Sequence, residues 1–226
     1  MLISYSRRFA FIHVPKTAGS SVYRALAPYG DVADGYWANR WLARIGIHVN
    51  HYAPHRLKKF RPHTTAETLR RNLPPEVFES LFKFAFVRDP WSLLVSYYHF
   101  IRDSGRHHRR MLAITLGSFE DFVAYETRRR RVSQTALLAG RDGRILVDFV
   151  GRYESLDSDF AFICRQIGIA SAPLGHFNAT AHRDHREYYD ARLARLVRDA
   201  YAEDIERFGY EFADPTVAPP AGRLTA

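Results

Sequence analysis

The sequence has 226 residues, 46% hydrophobic and 25% charged, with 33 Lys and Arg against 24 Asp and Glu and a net charge of +9. That balance excludes a disordered, collagen-like or coiled-coil chain and supplies a sizeable core, so one domain over 1–213 is expected, followed by a disordered tail over 214–226. No run approaches the roughly 20 apolar residues of a membrane helix, and the first residues lack the apolar core of a signal peptide. Cys164 stands alone, without an internal disulfide partner or a metal-ligand cluster. A cytoplasmic protein with no integral membrane segment is therefore expected. Arginine supplies 29 of the 33 cations, and its planar fork pairs with oxyanions, so an anionic partner is expected: nucleic acid, a membrane surface, or a phosphate- or sulfate-bearing small molecule.

Three segments repeat one pattern in chain order: an apolar run of β-formers, a short polar turn, then helical periodicity. The first runs Phe9 to Val14, turns through Pro15-Lys16-Thr17-Ala18-Gly19, and opens a helix at Ser20-Ser21 that stops near Pro28. The second runs Phe82 to Val87, turns at Arg88-Asp89-Pro90, and continues as a helix from Trp91 to about Asp103, with Asp89 as N-cap and Pro90 in the first turn. A helix with a capped start at Ser118 to Asp121 is predicted through Tyr125. The third unit has its strand at Ile145 to Val150 and its helix at Phe160 to Ile167, closed by Gly168. One long final helix is predicted from the capping pattern Asp184-His185-Arg186-Glu187 to Phe208, before Gly209. Near-continuous apolar strands alternating with helices predict an α/β fold with a mainly parallel central sheet covered on both faces. Ligands then bind at the carboxyl ends of the strands.

The turn Pro15 to Ser21 puts a lysine, a glycine and three hydroxyls between a buried strand and a helix N-terminus. Unpaired N–H groups and the positive end of the helix dipole suit a phosphate there. Lys16 adds a mobile charge, and Thr17, Ser20 and Ser21 add hydroxyl donors. The plain alternative is a capped turn with a solvated lysine, which does not require these residue types together. The pattern is not G-x-x-x-x-G-K-[ST], because Gly19 follows Lys16. Arg88 leaves a strand end, and Ser96 falls on one helical stripe with Ser92, His99 and Asp103, opposite Leu94, Val95, Tyr98 and Ile101. One fork and one hydroxyl can thus converge on a second phosphate.

The segment Phe11 to Ser21 resembles the 5′-phosphosulfate loop of sulfotransferases that use 3′-phosphoadenosine 5′-phosphosulfate (PAPS), closest to the carbohydrate branch of heparan 2-O- and chondroitin-type enzymes and their bacterial relatives. Phe86-Val87-Arg88-Asp89-Pro90-Trp91 with Ser96 is similar to that family's 3′-phosphate site. Val147 to Leu156 resembles its third strand and following turn, Gln134 fits its pattern, and the resemblance runs from about Phe9 to Tyr210. It implies a P-loop-like sulfotransferase architecture. It also implies a donor site of Lys16, Thr17, Ala18, Gly19, Ser20, Ser21, Arg88 and Ser96, and a late loop with Asn178, Thr180 and His182 closing over the nucleotide. The implied reaction is in-line sulfuryl transfer from PAPS to a hydroxyl of a saccharide or glycoconjugate, without a metal, with Lys16 neutralising the leaving group.

The proton acceptor is expected to be a histidine. Ile47 to Pro54 resembles the family region that carries it, which points to His51 with His48 as the alternative. A metal site at His48, His51 and His55 is disfavoured by Pro54 and by the lack of a neighbouring carboxylate or cysteine. The basic runs Arg106 to Arg110 and Arg128 to Arg131 are expected to be solvated faces, or the wall of a groove for an acidic polysaccharide. Gly30 to Arg44 and Ser104 to Gly117 are the expected acceptor walls. Two other classes compete. A kinase-like enzyme would use Asp148, at the end of Leu146-Val147-Asp148, as a magnesium ligand. A nucleic-acid-binding protein is supported by charge alone, with no reading module.

Overall fold

The computed structural model describes residues 1–30, 41, 43–45, 60–103, 109–129, 133–171, 174 and 183–212. A four-stranded sheet lies at its centre in the order β1 (Leu2–Ser4), β2 (Phe9–Ile12), β3 (Phe82–Val87), β4 (Phe149–Arg152). β2, β3 and β4 are parallel, with Phe11 beside Phe84 and Phe84 beside Phe149, and β1 is an antiparallel edge strand. The fold is thus α/β with a mostly parallel sheet flanked by helices.

Both faces of the sheet are apolar, which is why its strands read as unbroken apolar runs rather than alternating ones. Phe9, Phe11, Phe84 and Phe86 point to one face, packing with Val22 and Leu26 of α1 (Gly19–Leu26) and with Phe160, Ile163 and Cys164 of a helix at Leu156–Gln166. Ala10, Ile12, Ala85 and Val87 point to the other face, toward Leu69, Phe78, Trp91, Phe122 and Val197. Each fully buried phenylalanine contributes about 1.5–3 kcal/mol of transfer free energy. Between β2 and β3 lie α2 (Ala66–Asn72) and α3 (Pro75–Ser80). After β3 come α4 (Pro90–Asp103), α5 (Arg110–Leu116), α6 (Phe119–Arg129) and α7 (Gln134–Leu138). The helix after β4 is α8 (Leu156–Gln166), and α9 (Ala191–Ala200) and α10 (Ala202–Phe208) follow.

Several elements differ from their predicted bounds, three of them for a reason the contacts show. The third strand begins at Phe149, not Ile145. Ile145 bridges Ala139 and the Leu146 N–H donates to Leu138 O, so the first half of the apolar run pairs with the exit of α7. The helix after β4 starts at Leu156, a turn before Phe160. The final helix is broken into a 3-10 turn at His185–Tyr188 capped by Asp184, then α9 capped by the Asp190 carboxylate on Leu193 N, then α10. Each carboxylate satisfies an N–H that a continuous helix would have paired internally. α6 starts as predicted, with Ser118 Oγ accepting from Asp121 N, and runs on to Arg129. The predicted tail over 214–226 lies outside the described residues.

Candidate active site at the carboxyl ends of the parallel strands

Because β2, β3 and β4 run parallel in register, the turns that follow Ile12, Val87 and Arg152 emerge along one edge of the sheet. In the first turn Lys16 and Ala18 both have left-handed backbone (φ 65° and 60°) on either side of Thr17. For non-glycine residues this conformation costs on the order of 1 kcal/mol each, and alternation with right-handed residues shapes the N–H nest that binds anions. Thr17 is fully buried and its hydroxyl donates to Val14 O at 2.9 Å, bracing the turn from inside. The N-cap residue of α1, Ala18, offers no side-chain cap. Gly19 is required by packing: a Cβ there would lie 1.9 Å from His13 Nε2. Ser20 is exposed and Ser21 buried.

The second turn is held by a network. Arg88 is buried, its N–H donates to Gln134 Oε1 (2.8 Å), and Gln134 Nε2 donates to Arg88 O (2.7 Å). Gln134 is fixed in turn, since Asp204 accepts from the N–H groups of Gln134 and Thr135 at 2.8 Å each. The Arg88 guanidinium donates through Nε to Ser92 Oγ (2.9 Å), lies 3.9 Å from the Tyr153 ring centroid, and reaches Lys16 O through Nη1 (3.3 Å). Asp89 does not pair with Arg88. Its carboxylate caps Trp91 N (2.8 Å) and faces His185 Nε2 (3.3 Å), while its N–H donates to Glu154 Oε1 (2.9 Å).

The Lys16 ammonium crosses to α4 and sits 3.8 Å from the Phe100 ring centroid. Burial, with Arg88 nearby, lowers its pKa to about 8, and burial lowers that of Arg88 as well. Among the described residues neither cation has a carboxylate within ion-pair distance. Arg88 feels the carboxylates of Glu154 and Asp89 without pairing with either, and two desolvated positive groups that no described carboxylate neutralises by direct contact make a place for an oxyanion. Ser96 is buried on α4 one turn after Ser92.

The structure therefore brings together Lys16, the 16–19 turn and Arg88, with Ser96 on the helix that follows Arg88. His48, His51, Asn178, Thr180 and His182 lie outside the described residues. Ser92 and Tyr153 were missed as partners of Arg88: Ser92 was visible only as a member of a stripe, and Tyr153 only as part of a turn. His63 was also missed. Its Nδ1 is 3.0 Å from His13 O and its ring 4.7 Å from that of His13, whose own pKa burial and the neighbouring His63 lower to about 3.

A family model described as "Sulfotransferase family" matches residues 1–211. The chain belongs to the sulfotransferase family. A relative of 25% identity over 123 residues, 53% of this chain and 94% of its own length, is an uncharacterized protein of Archaeoglobus fulgidus. Membership makes the chain a transferase of sulfuryl groups between a small-molecule donor and an acceptor. It fits a strand-end site with two cations in place of a Walker lysine and its magnesium carboxylate. The kinase-like alternative loses its support, because Asp148 precedes β4 rather than following it. Asp148 is taken up there by Lys83, accepting from Lys83 N at 2.6 Å and facing its ammonium at 3.0 Å. No helix among the described residues is long and apolar enough to cross a membrane, and no three described His, Cys, Asp or Glu side chains gather as a metal site.

Proposed function

We propose that the chain moves the sulfuryl group of PAPS to a hydroxyl of a saccharide or glycoconjugate, without a metal. Lys16 and Arg88 carry this assignment: a half-buried and a buried cation of separate motifs, joined through the Arg88 contact to Lys16 O. The N–H groups of the 16–19 turn, with Ser20 and Ser21, hold the 5′-phosphate. Arg88 and Ser96 hold the 3′-phosphate, and Asn178, Thr180 and His182 close over the nucleotide. The acceptor oxygen attacks sulfur in line, the bond from sulfur to the bridging oxygen breaks, and adenosine 3′,5′-bisphosphate departs. Lys16 neutralises the charge that develops on that oxygen, as in the analogous phosphoryl transfers. The hydroxyl proton passes to a histidine, assigned from sequence to His51 with His48 as the alternative.

One observation favours a third candidate for the base. The carbonyl of His13 only accepts, so the 3.0 Å contact puts a hydrogen of His63 on Nδ1, and in a neutral ring with that hydrogen Nε2 is the atom that can take a proton. His63 opens on a groove of about 390 Å³ lined by Arg61, Pro62, Thr64, Thr65 and Thr68. The experiment is release of bisphosphate from PAPS against a panel of neutral and acidic saccharides, with ATP and magnesium in parallel. Saccharide-dependent release is expected, and release stimulated by magnesium and ATP alone contradicts the assignment. Glutamine replacements of His51, His48 and His63 then identify the base by a loss of about 100-fold in kcat with nucleotide affinity kept.

A further inference from the structure

Lys16 is held at two points by the β3–α4 unit, once through its backbone and once through its side chain. Its carbonyl accepts from Arg88 Nη1 at 3.3 Å, and its ammonium lies 3.8 Å from the centroid of the Phe100 ring. Phe100 stands one helical turn beyond Ser96 on α4, half-buried, so Ser92, Ser96 and Phe100 follow one another at intervals of four along one stripe. A lysine has a flexible four-carbon stem, and its head otherwise seeks water. Here it is turned inward, toward a ring face whose quadrupole attracts a cation. Arg88 is the charged group that presses on it, and Arg88 is itself surrounded by Tyr153, Glu154 and Asp89.

We infer that Phe100 is a positioning residue for sulfuryl transfer: its ring face holds the Lys16 ammonium beside the phosphosulfate turn, so that the charge is in place before the donor enters. The inference rests on the donor site proposed above, but the restraint on Lys16 is a property of the free protein. Phe100 never touches the reacting atoms and acts through Lys16. Its contribution is preorganisation: the charge need not be withdrawn from water during the reaction.

The chain has four lysines, Lys16, Lys58, Lys59 and Lys83, so a protein labelled with 13C at lysine Cε gives a spectrum of four side chains. In the wild type the Lys16 signal is expected upfield of ordinary lysines, from the ring current, with a midpoint near about 8. In Phe100→Leu the upfield shift disappears and the midpoint rises toward the ordinary lysine range, because the released ammonium swings into water. Phe100→Tyr keeps both features, since it keeps the ring face. Lys83, held by Asp148, Phe78 O and Leu81 O, reports whether each variant is folded. Phe100→Met replaces Phe100→Leu if the latter does not fold.

In the second arm, Phe100→Leu weakens bisphosphate binding at pH 7 about fivefold, and Lys16→Ala with Phe100→Leu binds no worse than Lys16→Ala alone. An unchanged Lys16 shift and midpoint in Phe100→Leu, or additive losses in the double variant, overturns the inference. Failure of the donor assignment looks different: the wild type would not bind the bisphosphate, whatever the lysine spectrum shows.

Discussion

The side-chain amide of Gln134 pairs with both backbone groups of Arg88, accepting from its N–H at 2.8 Å and donating to its C=O at 2.7 Å. It does for the first residue after β3 what a neighbouring strand does within the sheet. Asp204 on α10 fixes Gln134, so the C-terminal helix sets the place of a strand-end arginine 116 positions earlier in the chain. The guanidinium then has one direction left, toward Ser92, Tyr153 and the carbonyl of Lys16.

Gln134→Leu leaves a buried N–H and C=O unpaired, each worth about 1–3 kcal/mol. Urea unfolding should show a loss of about 2–4 kcal/mol, and bisphosphate affinity should fall with it. Gln134→Glu keeps the acceptor and should lose less. Equal stability of wild type and Gln134→Leu contradicts the network as described.

Gly19→Ala drives a methyl group into the His13 ring, 1.9 Å from Nε2. A destabilisation of about 1–3 kcal/mol is expected, with weaker nucleotide binding because the turn and the start of α1 must shift. Adding His13→Ala opens the space and should recover part of the affinity, measured by calorimetry. If the double variant is no better than Gly19→Ala, the clash is not the cause.

Sequence patterns reached the three strand–turn–helix units because each is local: apolar run, turn residues and helix start lie within some 20 positions. What they did not reach is tertiary. Nothing in Gln134-Thr135 announces a pairing with Arg88, and nothing in Tyr201 to Asp204 announces an anchor for Gln134. The strand predicted from Ile145 began later because an apolar run shows burial without showing the partner, and its first half pairs with the exit of α7. The final helix was read as continuous because its apolar stripe is, while Asp190 turned out to cap a new start. His63 was passed over because no local pattern distinguishes it from the other histidines, and its neighbour His13 lies 50 residues away.

The low pKa of Lys16, about 8 in the free protein, carries a sign. Below that value the ammonium is charged and anion affinity is at its plateau. Above it the free protein must take up a proton on binding, so affinity falls as pH rises through about 8. Calorimetry at pH 8.5 in buffers of different ionisation enthalpy should detect proton uptake in the wild type and none from this site in Lys16→Ala. Proton release, or an affinity that rises with pH, contradicts the assignment. In turnover, Lys16→Ala should lose mainly kcat and Arg88→Lys mainly nucleotide affinity.

Asp148→Ala strips the buried Lys83 of its counter-ion, although two carbonyls remain to it and Asp148 is partly exposed. A loss of about 1–3 kcal/mol in urea unfolding is expected, with bisphosphate affinity unchanged, because the pair stands at the opposite end of β4 from the site. A selective loss of nucleotide binding without loss of stability would return Asp148 to the role of a ligand.

The most direct measurement is calorimetric titration of the purified protein with adenosine 3′,5′-bisphosphate, beside AMP and ATP with magnesium, in wild type and Arg88→Lys. Tight, metal-independent binding of the bisphosphate over both controls is expected, weakened at least tenfold in Arg88→Lys because a point charge cannot reproduce the bidentate fork. No bisphosphate binding by the wild type, or a preference for ATP with magnesium, contradicts the donor assignment.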